Sequence, residues 1–321
     1  MHLTAKRARI YVAGHRGLLG SAIVRRLRSA GFTNLLLRTR GDLDLRNQQS
    51  VDSFFDEFSP EFVILAAARV GGILANDRYP ASFIGDNLLI QNHVLHAAHR
   101  IAAKRLIFVG STCIYPREAP QPLREEHLLT GPLESTNEWY AIAKIAGVKM
   151  CQAFRKQYRC DFLSLMSTNL YGPGDNFDLQ SSHVLPALLR KFHEAKTAGN
   201  HAVTVWGTGA PRREFLYSED LADACLFILR QPEHALVQMA PDSLLNVGVG
   251  ADISIGELSA LIREVTGSTS PIDYDRTKPD GTPRKLVDIS RMQRLGWKAT
   301  TPLRQGIAQT YAWYLNQDIA A

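Results

Sequence analysis

The chain is predicted to be an α/β protein, a doubly wound parallel sheet followed by a smaller C-terminal α/β domain. Three observations carry this expectation. In the first half, short β-rich runs alternate with longer stretches of helical period, the pattern of successive βαβ units. Gly14, Gly17 and Gly20 follow the first of those runs directly, where a strand must turn tightly into a helix. After Tyr171-Gly172-Pro173-Gly174 the rhythm becomes less regular. The expected division is 1–176 and 177–321, with some later segments returning to the first sheet.

Taken in order, Arg9–Ala13 is the first strand and leads into a helix over Leu19–Ala30. Asn34–Arg38 is the second strand, followed by a helix near Gln48–Phe58. Phe62–Leu65 is the third, before a long helix through Asn87–Arg100. Leu106–Val109 is the fourth; a helix near Tyr140–Tyr158 then precedes a fifth at Phe162–Met166. Beyond it, helical patterns cover Val184–Ala195, Glu219–Arg230, Ile255–Thr266 and Leu303–Leu315. A short strand at Val203–Trp206 meets a Gly/Pro turn, and residues 278–283 read as a long loop.

Composition sets the outer bounds. With 321 residues, 45% hydrophobic and 21% charged, the chain can build a core without staples. Its four cysteines, Cys113, Cys151, Cys160 and Cys225, form no C-x-x-C pair and no zinc spacing, so a reducing compartment and no metal are expected. No secretory leader is evident, and the longest apolar run, Phe62 to Ala68, is too short to span a bilayer. The expected location is cytoplasmic, with no membrane partner. The net charge of +6 is dispersed, without the basic blocks of a nucleic-acid arm. It suits anionic small molecules equally well as a plain basic surface.

Gly14-His15-Arg16-Gly17-Leu18-Leu19-Gly20 sits at the first βα junction. Missing side chains let the backbone approach a pyrophosphate, and the helix N-terminus presents free N–H groups to that anion. Glycine spacing alone is weak; this position makes a Rossmann-type dinucleotide site the better reading. The second strand runs into Leu37-Arg38-Thr39-Arg40, where an NAD site would place an acidic residue. Arginine suits a 2′-phosphate, and Arg16 can approach the same group, so NADP(H) is expected over NAD. The alternative is that these arginines are solvated loop residues. Asp44 and Leu45 could line the adenine pocket.

Tyr140 and Lys144 are four apart and share a helix face. A nearby ammonium stabilises phenolate, so the pair can pass a proton to a carbonyl oxygen during hydride transfer. Such a pair also recurs by chance on exposed faces; the glycine loop and the strand-end Ser111 argue against chance here. Cys113 lies two residues past Ser111. It is either a small buried residue or a general base, with His183 as its candidate partner. A lone histidine at a helix start is more often structural; the case rests on the joint presence of all these groups.

These motifs resemble the extended short-chain dehydrogenase/reductase family, in its branch that epimerises and reduces GDP-4-keto sugars. The resemblance runs through Ala66-Ala67-Ala68-Arg69-Val70-Gly71-Gly72-Ile73, Ser111-Thr112-Cys113, Tyr140 to Gly147, Thr168 to Pro173, Ser182-His183-Val184, Arg213-Glu214-Phe215 and Lys278 to Lys285. It implies that Tyr140 donates the proton in reduction, Lys144 holds the cofactor ribose and Ser111 positions the keto oxygen. It assigns Cys113 and His183 to base and acid in two epimerisations. It places Gly14 to Gly20, Arg40, Asp44 and Leu45 against the cofactor. Val109, Gly110, Thr112, Ser167, Thr168, Asn169, Leu170 and His183 would line its nicotinamide end. Lys191, Trp206, Arg213 and Asp280 would hold a GDP-sugar substrate, with a related 3-deoxy keto-sugar as the alternative and a non-catalytic NADP-binding regulator the weaker one. A homodimer through helices beside the Tyr140 segment is also implied. Ser167 stands where proline is frequent, and Lys191 where a second arginine is common.

Overall fold

The computed structural model describes residues 3–199, 201–278 and 280–317. The first half contributes β1 (Ile10–Ala13), α1 (Leu18–Ser29), β2 (Leu35–Leu36), α2 (Gln48–Phe58), β3 (Phe62–Leu65), α3 (Ile73–Arg78), α4 (Pro80–Arg100), β4 (Arg105–Ser111), α5 (Glu138–Tyr158) and β5 (Phe162–Ser167). Then come β6 (Asn169–Tyr171), α6 (Val184–Thr197), β7 (Val203–Trp206), β8 (Arg212–Arg213), β9 (Phe215–Tyr217), α7 (Ser218–Arg230), α8 (Glu233–Met239) and β10 (Leu244–Val247). The last are β11 (Ile253–Ser254), α9 (Ile255–Thr266), β12 (Ile272–Asp275), β13 (Arg284–Lys285), α10 (Ser290–Leu295) and α11 (Leu303–Leu315). None of the described helices is long and apolar enough to cross a membrane.

The central sheet has six strands in the order β10-β5-β4-β3-β1-β2, and every pairing in it is parallel. Alternation along β1 explains the two layers that cover it. Ile10 and Val12 pack with Ile23 and Leu27 of α1 and with Leu221 and Cys225 of α7. Tyr11 and Ala13 face the other way, toward Phe55 of α2, Val94 of α4 and Val148 of α5. Each such large side chain is worth about 1.5–3 kcal/mol when fully buried. A third core, built on Leu189, Phe192, Tyr217, Ile262 and Tyr314, sits in the C-terminal half beside the small pairings β11-β8-β13, β12-β7 and β6-β9.

The order reverses around β1: β2 lies on one side and β3 on the other. Ligands bind at such a switch point, beyond the carboxyl ends of the strands. Three differences from the sequence expectation concern the central sheet and its cover. The second strand is only Leu35–Leu36, because it is an edge strand whose partner, β1, gives way to the glycine turn after Ala13. The long helix begins at Pro80, seven residues early, since proline's fixed φ suits a helix start. The sixth strand, β10, is Leu-Leu-Asn-Val, too short to announce itself by period. The loop expected at 278–283 includes Pro279, which lies outside the described residues.

One buried charge pair locks the amino ends of the sheet. Arg105 is fully buried, pairs with Asp161 at 2.6 Å and donates to the carbonyls of Ile228 and Gln231. Arg105→Ala would leave Asp161 uncompensated, at an expected cost of about 3–5 kcal/mol, read as a lowered urea midpoint.

Candidate active site

The glycine loop is shaped by contact. Gly14 has φ +84°, and a Cβ there would lie 2.8 Å from the Ala67 backbone. A Cβ on Gly20 would come within 2.0 Å of the Gly14 carbonyl oxygen. Gly17 caps α1 without a side chain, and the first turn holds no acidic residue, so the positive helix end stays open. These glycines, together with the partnerless buried Nδ1 of His15 and Oγ1 of Thr168, make a cradle that fits a dinucleotide. Gly14→Ala is expected to weaken NADPH binding by about 10- to 100-fold, measured by fluorescence titration.

Arg16 and Arg40 are exposed beside this loop. Arg38 is set apart from Arg40: its guanidinium lies 4.6 Å from the Phe58 ring centre and its Nη1 donates to the Leu37 carbonyl. His15 is half-buried; burial and then the Arg16 charge hold its imidazole below the usual histidine range. Asp44 pairs with Arg46 at 2.6 Å, and the hydrogen bonds from Arg46 hold its carboxyl at about 2. Arg46 continues to Asp86, which also pairs with Arg69. Leu45 is buried, and its carbonyl accepts from His93 Nδ1.

β4 and β5 place Ser111 beside Ser167 in register, so Val109 to Thr112 and Ser167 to Leu170 form one rim at the sheet's carboxyl edge. A Cβ on Gly110 would collide with the Met166 methyl at 2.1 Å. Ser167 Oγ donates to the Gly110 carbonyl, and the Asn169 amide donates to the Glu214 carbonyl. Ser111 caps a single tight turn, Thr112–Ile114, accepting from the Cys113 N–H at 3.5 Å.

On α5, Lys144 is buried, donates to the Val109 carbonyl at 2.9 Å and lies 5.7 Å from the Tyr140 ring centre. Burial lowers its ammonium to about 8. The Tyr140 phenol moves up, not down, because burial and then Cys113 oppose its ionisation. The expectation that Lys144 would lower it is corrected: desolvation dominates, Lys144 is not among the groups that shift it, and the phenol is protonated at neutral pH. Phe83 meets the Tyr140 ring edge-on at 6.5 Å.

Cys113 is buried, and burial raises its thiol; Lys285 opposes this most strongly, followed by the Ser111 hydroxyl and Lys144. In the sequence Lys285 stands only as the end of the 278–285 segment that carries the resemblance. The parallel pairing of β8 with β13, which sets Lys285 beside Arg213, carries it to the thiol. His183 caps the start of α6 and keeps solvent contact on one side, while the protein packed around it holds its imidazole below the usual histidine range. Among the described residues no hydrogen bond joins it to Cys113.

Lys191 Nζ donates to the Thr204 carbonyl and lies 6.0 Å from the Trp206 ring centre. Trp206 is 55% exposed, and Lys278, which sequence reasoning did not single out, lies 5.7 Å from the same ring. Arg213 donates to the Arg212 and Thr282 carbonyls, and burial lowers its guanidinium against the pull of Asp280. Asp280 itself accepts from the Thr208 N–H and hydroxyl, at 2.9 and 2.7 Å, which fixes the turn after Trp206.

Residues 10–248 match the model of the NAD dependent epimerase/dehydratase family. The chain is 56% identical over 316 residues to GDP-L-fucose synthase 1 of Arabidopsis thaliana, covering 98% of this chain and 95% of that one. It is 48% identical over 313 residues to GDP-L-fucose synthase of Escherichia coli, covering 97% and 98%. A solved GDP-mannoheptose C4 reductase from Campylobacter jejuni with NADP bound superposes with a TM-score of 0.88 at 38% identity, over 98% of this chain and 100% of that one. The chain belongs to the NAD dependent epimerase/dehydratase family, within the extended short-chain dehydrogenases/reductases.

Proposed function

We propose that the protein converts GDP-4-keto-6-deoxy-D-mannose to GDP-L-fucose, inverting C3 and C5 and reducing C4. The observation that carries this is the buried thiol of Cys113, faced by Lys285 and Lys144, at the same strand end as Ser111 and next to Tyr140. A plain reductase needs no such base. The relatives named GDP-L-fucose synthase, similar over nearly the whole chain, support the choice of sugar.

The C4 ketone acidifies the hydrogens on C3 and C5. Cys113, as thiolate, takes each proton while the electron pair moves to the keto oxygen, steadied by the Ser111 hydroxyl and the Tyr140 phenol. His183 returns a proton from the opposite face. NADPH, when bound, supplies the hydride for C4. Tyr140, whose phenol is protonated at neutral pH, then gives its proton to the C4 oxygen. Lys144 holds the cofactor ribose and keeps the rim in place through the Val109 carbonyl.

Gly14 to Gly20 hold the pyrophosphate, Arg16 and Arg40 the 2′-phosphate, and Asp44 and Leu45 the adenine side. Lys191, Trp206, Arg213 and Asp280 hold the GDP-sugar, so 177–321 acts mainly as the substrate domain and 1–176 as the cofactor domain. A homodimer in the cytoplasm fits the exposed Leu89, Trp139 and Tyr158 on α4 and α5 and the four free thiols; sedimentation tests the dimer. Cofactor choice is tested by kcat/KM with NADPH and NADH. NADPH is expected to win, and Arg40→Ala to narrow the preference by about tenfold or more. A preference for NADH contradicts the assignment.

A further inference from the structure

Glu214 is fully buried, and among the described residues it forms no ion pair. Its carboxylate accepts three backbone N–H groups instead. Val249 and Gly250, in the turn after β10, donate to Oε1 at 2.5 and 2.7 Å; Val287, just after β13, donates to Oε2 at 2.9 Å. Its own carbonyl takes the Asn169 amide at 2.9 Å. A Cβ on Gly248 would lie 2.3 Å from Oε1, so the turn is moulded to this carboxylate. The side chain thus ties the turn after the last strand of the main sheet to the pair β8–β13, and the carbonyl of the same residue holds the rim after β5.

What the tie holds in place is a costly arrangement. Arg213 and Lys285 are register partners in parallel strands, so two cations sit side by side. Burial opposes the charge on Lys285 most strongly and Arg213 adds to this, while Cys113 and Glu134 favour it, so its ammonium is held below the usual lysine range. The groups that act on the Cys113 thiol are Lys285 from β13, Lys144 and Tyr140 from α5, and the Ser111 hydroxyl from β4. Glu214 follows β8 directly, so its bonds fix the backbone that presents Arg213. Like charges left on loosely held backbone would drift apart, and Lys285 would lose its hold on the thiol.

We propose that Glu214 is a positioning residue that fixes Lys285, with Arg213, beside Cys113 and thereby sets how readily that thiol ionises. The use of the thiolate in proton abstraction rests on the keto-sugar reading above; the anchoring of Lys285 does not. Glu214→Gln keeps the size but turns an NH2 group toward one of the three N–H donors.

Thiolate absorbance at 240 nm is titrated in the full-length protein and in Glu214→Gln, each against the same protein carrying Cys113→Ser, so that the other three thiols cancel. The Cys113 midpoint is expected to move up by about one pH unit. Lys285→Met should raise it in the otherwise unaltered protein and add little on top of Glu214→Gln. An unchanged midpoint in Glu214→Gln, or an undiminished effect of Lys285→Met in that background, overturns the proposal. If Glu214→Gln does not fold, Glu214→Asp replaces it, its carboxylate one methylene short of Val287, with the same two outcomes. The titration needs no sugar, so its result is separate from any failure of the proposed reaction.

Discussion

Tyr140→Phe is expected to slow reduction at C4 by about 10³-fold while hydrogen exchange at C3 and C5 continues. The phenol is the proton source for the C4 oxygen, and phenylalanine removes that proton and nothing else of comparable size. Lys144 keeps its bond to the Val109 carbonyl, so the cofactor rim should stand and NADPH should bind as before. Exchange should fall by only about tenfold, because Ser111 remains to steady the enolate oxygen while one of two donors is lost. Parallel rates of NADPH oxidation and of deuterium uptake separate the two steps. Equal loss of both would assign Tyr140 to enolisation as much as to reduction.

Cys113→Ser is the second large effect. A serine hydroxyl does not ionise where a thiol does, so exchange at C3 and C5 should fall by about 10³-fold or more. NADPH affinity should be unchanged if Cys113 acts on the sugar as proposed. The unaltered protein should show the matching pH dependence. Burial raises the thiol, so the thiolate fraction grows as pH rises, and exchange should climb from neutral into alkaline solution. Lys144, held at about 8, loses its charge along the same limb and should blunt the climb. Exchange that is independent of pH between 6 and 9 would remove Cys113 as the base.

Local chemistry made much of this site legible in sequence. The glycine turn, the Ser111–Cys113 pair and the Tyr140–Lys144 pair each lie within a few residues of chain, and strand and helix periods place them without tertiary information. Arg38 and Arg40 could not be ranked that way: only the stacking of Arg38 on Phe54 and Phe58 separates them. The roles of Lys285 and Glu214 were hidden for a different reason. The two residues lie in strands of two or three residues or directly between them, which carry no period, and their partners lie some 35 to 170 positions away. The direction of the Tyr140 shift was likewise hidden, since it depends on how deeply the phenol is packed.

The central claim is that one site both epimerises and reduces. The most direct measurement is NMR of the product formed from GDP-4-keto-6-deoxy-D-mannose and NADPH in deuterated water. The expected product is GDP-L-fucose carrying deuterium at C3 and C5. A reduced sugar with hydrogen retained at both carbons would contradict the account and leave a plain reductase, with Cys113 and His183 outside the chemistry.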